Sequence, residues 1–285
     1  MQELLNGVAQ GTVYALIAAG LVLIFGVVRV PHFAHGESVM VSGMVTCWAV
    51  TSLGLPVVVG AMAGVAASVI YGLFLCFAVY WPMRNHPEWN LLASSLGAVI
   101  ITETAAIAIW TSTPRVTPGG VTGSLKIGDA YVPWGWVLLA GVSFVIIAIT
   151  WLFVARTTAG ISMKAMAADA ETAQMVGIPV RKNWAIAFAL GSALAGVAGS
   201  VYSTVFPVST TLGLDVTFSA LVVIILAGIG SVVHVLWGGI LLGVVEALAG
   251  MLLPGGYQDS LVFLFMLIVL VIRPNGLFGL ERARD

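Results

Sequence analysis

Charge is what this chain has least of. Only 8% of its 285 residues are Asp, Glu, Lys or Arg, against about 25% in a soluble domain. Eleven basic and twelve acidic residues cannot coat a globule of this size, and the net charge of −1 excludes a basic nucleic-acid-binding surface. Cysteine is scarce too. Cys47 and Cys76 both fall inside apolar runs, so they read as packing residues rather than a disulfide or a metal site. No Lys or Arg precedes the first apolar run in MQELLNG, which argues against a cleaved signal peptide and for a retained first helix. A GxxxxGK(S/T) phosphate loop is missing, so the chain is not expected to bind ATP. No nucleophile–base or metal constellation marks an enzyme, and no cofactor is called for.

What is abundant is apolar surface. Hydrophobic residues make up 60% of the chain and the mean hydropathy is +1.09. The bilayer must be its solvent, and lipid its first partner. The 33 glycines suit a protein whose helices pack closely in a membrane. A spanning helix needs roughly 20 apolar residues. The expected fold is therefore an all-α polytopic membrane protein, one domain over 1–285, with about nine spans near 6–28, 37–53, 56–81, 90–110, 132–155, 184–204, 216–230, 233–252 and 257–272. The second and seventh are short, which suits a tilted, broken or re-entrant segment.

Charge asymmetry orients the set. With the loop 156–183 in the cytoplasm, that side receives Arg29, Arg84, Arg156, Lys164, Arg181, Lys182, Arg273, Arg282 and Arg284, and the outer side only Arg115 and Lys126. The N-terminus is then outside and the C-terminus cytoplasmic. The main extracytoplasmic loop, 111–131, is rich in Pro and Gly and is expected to be a run of turns. Trp81, Trp89, Trp134 and Trp136 sit where interfacial anchors belong. A faint internal echo links LIFGVVRVPHFAHGESVMVSG with LAGIGSVVHVLWGGILLGVVE, as in transporters built from repeats.

The loop 156–183 does not belong in a membrane. Asp169 is expected to cap a short helix over 170–176, with Glu171 in its first turn, Gly177 as the left-handed residue after it, and Pro179 preventing continuation. Its exposed content is expected to be small and adaptable: Met163, Met166, Ala167, Ala170, Ala173 and Met175. Ala leaves a shallow surface and Met moulds to irregular ones, which suits a docking site. A helix lying on lipid would carry more Lys and Arg on its polar face and bulkier apolar anchors.

Four stretches carry a resemblance. They are NGVAQGTVYALIAAGLVLIFGVVRVPHFAHGE, AMAADAETAQMVGIPVRKNWAIAFALGSALAGVAGSVYS, ALVVIILAGIGSVVHVLWGGILLGVVEAL and FMLIVLVIRPNGLFG. In this order they resemble the permease subunits of branched-chain amino acid ABC importers, closer to the shorter LivH type than to its longer partner. The resemblance covers all but the loop 111–131 and the last residues. The motif His32-Phe33-Ala34-His35-Gly36-Glu37 has His where the family's NFAHGE pattern leads with Asn, a departure that would bear on substrate choice. The resemblance implies a second, LivM-like permease, two cytoplasmic ATP-binding subunits docked on the capped turn, a periplasmic solute-binding protein, and a multi-pass place in a bacterial inner membrane. The docking residues would be Met166, Asp169, Ala170, Glu171, Ala173, Met175 and Gly177.

Polar residues inside the spans are candidate pathway groups, because a charge at the bilayer centre costs about 2.5–3.5 kcal/mol on insertion scales and turns toward protein or water. Glu37, Glu103 and Glu246 qualify. Glu37 could instead offset Arg29 or a helix N-terminus, and the partner of Glu246 is expected elsewhere than His234. His32, Phe33 and His35 lie in a Pro- and Gly-bounded break whose backbone must face protein or a cavity. Asn6 and Tyr14 in the first helix, and Gly228 and Gly230 as a hinge, complete the set. An ion-coupled carrier using Glu103 or Glu246 is the alternative. A channel is disfavoured, since no filter of carbonyls or ringed charge is visible.

Overall fold

The computed structural model describes residues 2–29, 32–127, 130–228, 232–252, 258–273 and 276–277. In hydrocarbon every backbone N–H and C=O must be satisfied within the protein, so apolar segments close their own hydrogen bonds as helices. The order is α1 (Gln2–Val28), α2 (His35–Ser52), α3 (Val57–Leu75), a π-helical turn (Cys76–Tyr80), α4 (Trp81–Met83), α5 (Glu88–Trp110), α6 (Trp134–Arg156), α7 (Thr158–Ala168), α8 (Ala170–Met175), α9 (Val180–Tyr202), α10 (Leu212–Ala227), α11 (Val232–Leu252) and α12 (Gln258–Ile272).

Helix stands at all nine places expected. Six of these are long and apolar enough to cross a membrane: Gln2–Val28, Val57–Met83, Glu88–Trp110, Trp134–Arg156, Val180–Tyr202 and Val233–Leu252. α10 starts before the expected 216, because Leu212–Asp215 winds into a first turn with Asp215 at the positive end of the helix dipole. α2 is an unbroken helix buried along most of its length. Its polar content is internal glue. Ser42 donates to the Gly196 carbonyl at 2.6 Å and bonds Ser200 at 2.6 Å, and Thr46 reaches Ser200 at 3.1 Å. Ser68 of α3 donates to the Ser192 carbonyl at 2.6 Å. Small residues and hydroxyls thus join α2, α3 and α9, as membrane interfaces require.

The loop 111–131 departs from the run of turns expected there, within a fold that is otherwise all-α. It carries an antiparallel hairpin, β1 (Ser124–Ile127) with β2 (Ala130–Pro133), Ser124 opposite Pro133. Outside hydrocarbon an exposed ladder is tolerated, and Lys126 lies 5.6 Å from the Tyr131 ring across it. Arg115 and Val208 exchange backbone hydrogen bonds of 2.9 and 2.8 Å, which tie the loop to the α9–α10 connection. Cys47 and Cys76 are free and buried.

α1 runs through the middle of the bundle, buried from Gly11 to Ile24 except at Tyr14. Gly7 and Gly11 of α1 face Gly239 and Gly243 of α11, two GxxxG stripes backbone to backbone. A methyl built on Gly7 would lie 2.5 Å from the Gly243 carbonyl oxygen, and one on Gly239 would lie 2.5 Å from that of Gly11. Gly11→Val should therefore force the helices apart. Overpacking of this kind costs about 1–3 kcal/mol, to be read as a lower melting temperature of the detergent-solubilised chain. A Gly97→Val control, at a site with open space around it, should change little.

Candidate functional site

Two places gather the candidate residues. The first is the loop between α6 and α9. Thr157 caps α7, its hydroxyl accepting from the Gly160 N–H at 3.1 Å. At the other end of α7, the Arg29 guanidinium donates to the carbonyls of Ala167 and Ala168 at 3.0 and 2.8 Å. A cation there satisfies orphan carbonyls and complements the negative end of the helix. Asp169 then starts α8, its carboxylate accepting from the N–H groups of Glu171 and Thr172 at 3.0 and 3.1 Å and from the Thr172 hydroxyl. Gly177 closes the turn at φ +87°, and the Ile178 N–H reaches the Ala173 carbonyl at 3.1 Å.

The turn presents a narrower face than the sequence suggests. Met163, Met166 and Ala173 are buried in the main core and are no part of an exposed surface. They fall on the inward face of α7 and α8, where the apolar side chains of α1 and α9 cover them. Met175 (79% exposed) and Val176 (73%) do face outward, with Asp169, Glu171 and Gly177 beside them and Ala170 half-buried.

Asp169 is held below its ordinary carboxylate range by the Thr172 hydroxyl first, then by the Thr172 and Glu171 N–H groups, with the Arg29 charge adding to this. A depressed pKa means the cap stabilises the turn above the usual aspartate range and loses that contribution as pH falls through the lowered value. Asp169→Ala should speed amide exchange at Glu171 and Thr172 at neutral pH, whereas Asp169→Asn, also a good cap, should preserve protection and remove its acid dependence.

The second place is the interior. Between α1 and α2, His32 Nδ1 bonds the Tyr80 hydroxyl at 2.6 Å, and His35 Nε2 bonds the Ile17 carbonyl at 3.1 Å. The two rings are 5.9 Å apart and both are buried. The broken backbone is satisfied by neighbours, as its position demands. The Phe33 N–H donates to Ser95 Oγ at 2.7 Å, and the Phe33 carbonyl accepts from Thr217 Oγ1 at 2.9 Å. Glu37 is buried at the start of α2 against Gly213, with Oε2 unbonded among the described residues. It does not offset Arg29, whose guanidinium is committed to α7. Glu103 is half-buried on α5.

Asn6, Tyr14 and Glu246 come together around open space. Tyr14 donates to Glu246 Oε1 at 3.2 Å, and Gln10 Nε2 reaches the same oxygen at 3.4 Å and Tyr14 at 2.7 Å. The partner of Glu246 does lie off its own helix. A cavity of about 320 Å³ is lined by Gln10, Tyr14, Asp215, Phe218 and Glu246 among others. A second, of about 640 Å³, shares Gln10 and Glu246 and adds Glu3 and Asn6. Gln10 and Asp215 went unread in the sequence. Gln10 was findable, because Asn6, Gln10 and Tyr14 repeat every four residues and share one helix face. His32, His35 and Glu37 line neither cavity, while Phe33 stacks edge-on against the cavity residue Phe218 with centroids 6.2 Å apart. Gly228 is buried at φ +77° after α10, where the Leu277 N–H returns to the Leu226 carbonyl at 2.8 Å. The remainder of that hinge, Gly230 included, lies outside the described residues.

Such a bundle, apolar outside and polar along one internal seam, defines a multi-pass membrane protein with a solute-sized interior. Residues 3–271 match the family described as "Branched-chain amino acid transport system / permease component", and the chain belongs to it. It is 29% identical over 296 residues to the high-affinity branched-chain amino acid transport system permease protein BraD of Pseudomonas aeruginosa, covering 98% of this chain and 95% of that one. It is 27% identical over 293 residues to the LivH permease protein of Escherichia coli K12, with the same coverage. A probable LivH permease of Methanocaldococcus jannaschii shows 22% identity over 97% of this chain and 91% of that one. The fold is similar to a solved structure described as "PsaBC from Streptococcus pneumoniae in complex with Fab", with a TM-score of 0.53 and 14% identity over 96% of this chain and 91% of that one.

Within the seam, Tyr80→Phe should leave His32 Nδ1 unbonded in the core. An unmet buried group costs about 1–3 kcal/mol. The expected outcome is a matching loss of thermal stability, with Tyr71→Phe, whose hydroxyl bonds Thr102 nearer the surface at 2.8 Å, costing less.

Proposed function

We propose that this chain is the permease subunit of an ATP-driven importer, moving a branched-chain or related small amino acid inward by alternating access. The observation that carries the reading is α8. A six-residue helix is capped by Asp169 and closed by Gly177, follows directly on the α7 end that Arg29 ties to α1, and yet turns Met175 and Val176 outward. A short rigid element that offers apolar side chains away from the core suits a dock for a partner. The names of its relatives point the same way.

In this reading two ATP-binding subunits grip α8 in the cytoplasm, a LivM-like permease completes the pathway, and a periplasmic binding protein delivers the solute. All nine apolar helices cross the inner membrane of a bacterium, with the N-terminus outside. The cavity around Gln10, Tyr14 and Glu246 belongs to the pathway. Its volume of about 320 Å³ is at the lower end of small-molecule sites, which agrees with a solute of amino-acid size.

The test is co-purification. The chain expressed with its neighbouring genes should bring ATP-binding subunits with it. Met175→Asp with Val176→Asp should abolish that association and uptake while leaving the melting temperature of the isolated chain within about 0.5 kcal/mol of stability, since both side chains are exposed. Gly177→Arg, forced into a left-handed backbone, should act the same way. Proton-driven uptake by this chain alone would favour an ion-coupled carrier with Glu246 as its titrating group and would reject the importer.

A further inference from the structure

Among the described residues, Trp81 of α4 is flanked by two cations. The Arg84 guanidinium lies 4.4 Å from its ring centre and that of Arg181 lies 5.8 Å away. Arg181 also covers the Phe77 ring at 5.3 Å. The π-helical turn brings this about: the Trp81 N–H bonds back to the Cys76 carbonyl, five residues earlier, and so Phe77 and Trp81 share one guanidinium. Trp184 braces the indole from the inside, at 5.7 Å and 87°. Both arginines are exposed, and one nitrogen of the Arg84 guanidinium donates to the Trp81 carbonyl at 2.8 Å, which holds it beside the ring. Arg181 and Lys182 moreover occupy the first turn of α9, which carries no acidic residue. Cations are disfavoured at that end of a helix, so the helix dipole does not account for positive charge there.

The same face of α3 continues as an apolar stripe. Ile70 (68% exposed), Phe74 (61%) and Phe77 (39%) point away from the bundle. The opposite face, Gly60, Gly64, Ser68 and Gly72, is buried against α2 and α9. From Ile70 to Trp81 is about 16 Å at 1.5 Å per residue, about half the hydrocarbon thickness of a bilayer.

We propose that Arg84 and Arg181, set against Trp81, bind the phosphate of an anionic membrane lipid whose acyl chain lies along Ile70, Phe74 and Phe77. Guanidinium groups suit phosphate oxygens through paired N–H donors, and stacking on the aromatic rings pre-orients them. The stripe below decides the source of the phosphate. A soluble anion or an acidic segment of a docked protein would use the arginines but not 16 Å of apolar track, whereas one leaflet of lipid uses both. A groove of about 760 Å³ runs from Trp81 and Arg84 past Arg29 to Glu171 and Gln174 of α8, all of which line it. The lipid therefore borders the coupling turn. The site stands on membrane insertion alone and does not depend on the importer reading.

The test uses the full-length chain reconstituted in phosphatidylcholine with and without phosphatidylglycerol, with retained lipid counted by native mass spectrometry and stability read by melting. Phosphatidylglycerol should be retained and should raise the melting temperature. Arg84→Gln and Arg181→Gln should each weaken retention about fivefold, and Phe74→Ser should weaken it as well. Arg156→Gln, an exposed arginine on the same side, should not. Arg84 is exposed, so its substitution leaves the core intact and reports even if Phe74→Ser misfolds. Unchanged retention in Arg84→Gln, an equal loss in Arg156→Gln, or full replacement of the lipid by soluble glycerol phosphate would each overturn the proposal. So would loss of co-purifying subunits in the arginine variants with retention unaltered.

Discussion

Where Gly7 and Gly11 meet Gly239 and Gly243, two helix backbones touch with no side chain between them. In water such a contact would be driven by apolar burial. In lipid it is not, because lipid tails are as apolar as the helix faces, and close van der Waals approach must do the work. The seam sets where α11 stands against α1, and the polar cluster around Glu246 follows from that. Glu246 is four residues beyond Leu242, itself buried beside the seam, and it lands on Tyr14 and Gln10. A bulkier residue at any of the four glycines would move that carboxylate away from Tyr14 and Gln10, and would reshape the two cavities that share it.

α1 also reaches the capped turn. It is 27 residues long, about 40 Å at 1.5 Å per residue. One end lines a cavity through Asn6, Gln10 and Tyr14. Immediately beyond the other, Arg29 holds the last carbonyls of α7, and α8 follows directly on Asp169. A displacement of the capped turn must be taken up by Arg29 or passed to α1. Two hydrogen bonds to successive carbonyls on a buried helix make the second course the natural one. The seam and the cap are therefore one device at two ends of one rod, and the burial of Met163 and Met166 against the same core stiffens it.

Much of this was legible. The apolar helical segments, the capped turn with its Asp169 and Gly177, and an off-helix partner for Glu246 all follow from residue types and spacing. The short reach of those signals explains it: a cap, a C′ glycine and a spanning length are each set within one or two turns. The hairpin at 124–133 was missed because a loop dense in Gly and Pro hides four-residue strands whose pairing depends on contacts elsewhere, here the Gly123 carbonyl that accepts from the Trp134 N–H at 3.0 Å.

The harder misses share one cause. In a soluble helix the buried face announces itself by its apolar stripe. In a membrane helix both faces are apolar and that contrast disappears. Met163, Met166 and Ala173 were read as exposed for this reason: beside Lys164 and Glu171 they look like a surface, yet they point into protein. The buried face of α3 is marked instead by smallness, Gly60, Gly64, Ser68 and Gly72 at every fourth position, and its outer face by bulk, Ile70 and Phe74. The same inversion marks α1, where Gly7 and Gly11 face protein. Hydrophobicity says that these helices enter the membrane. The spacing of glycine and hydroxyl side chains says which side of each helix meets another helix, and so where a polar seam is able to form.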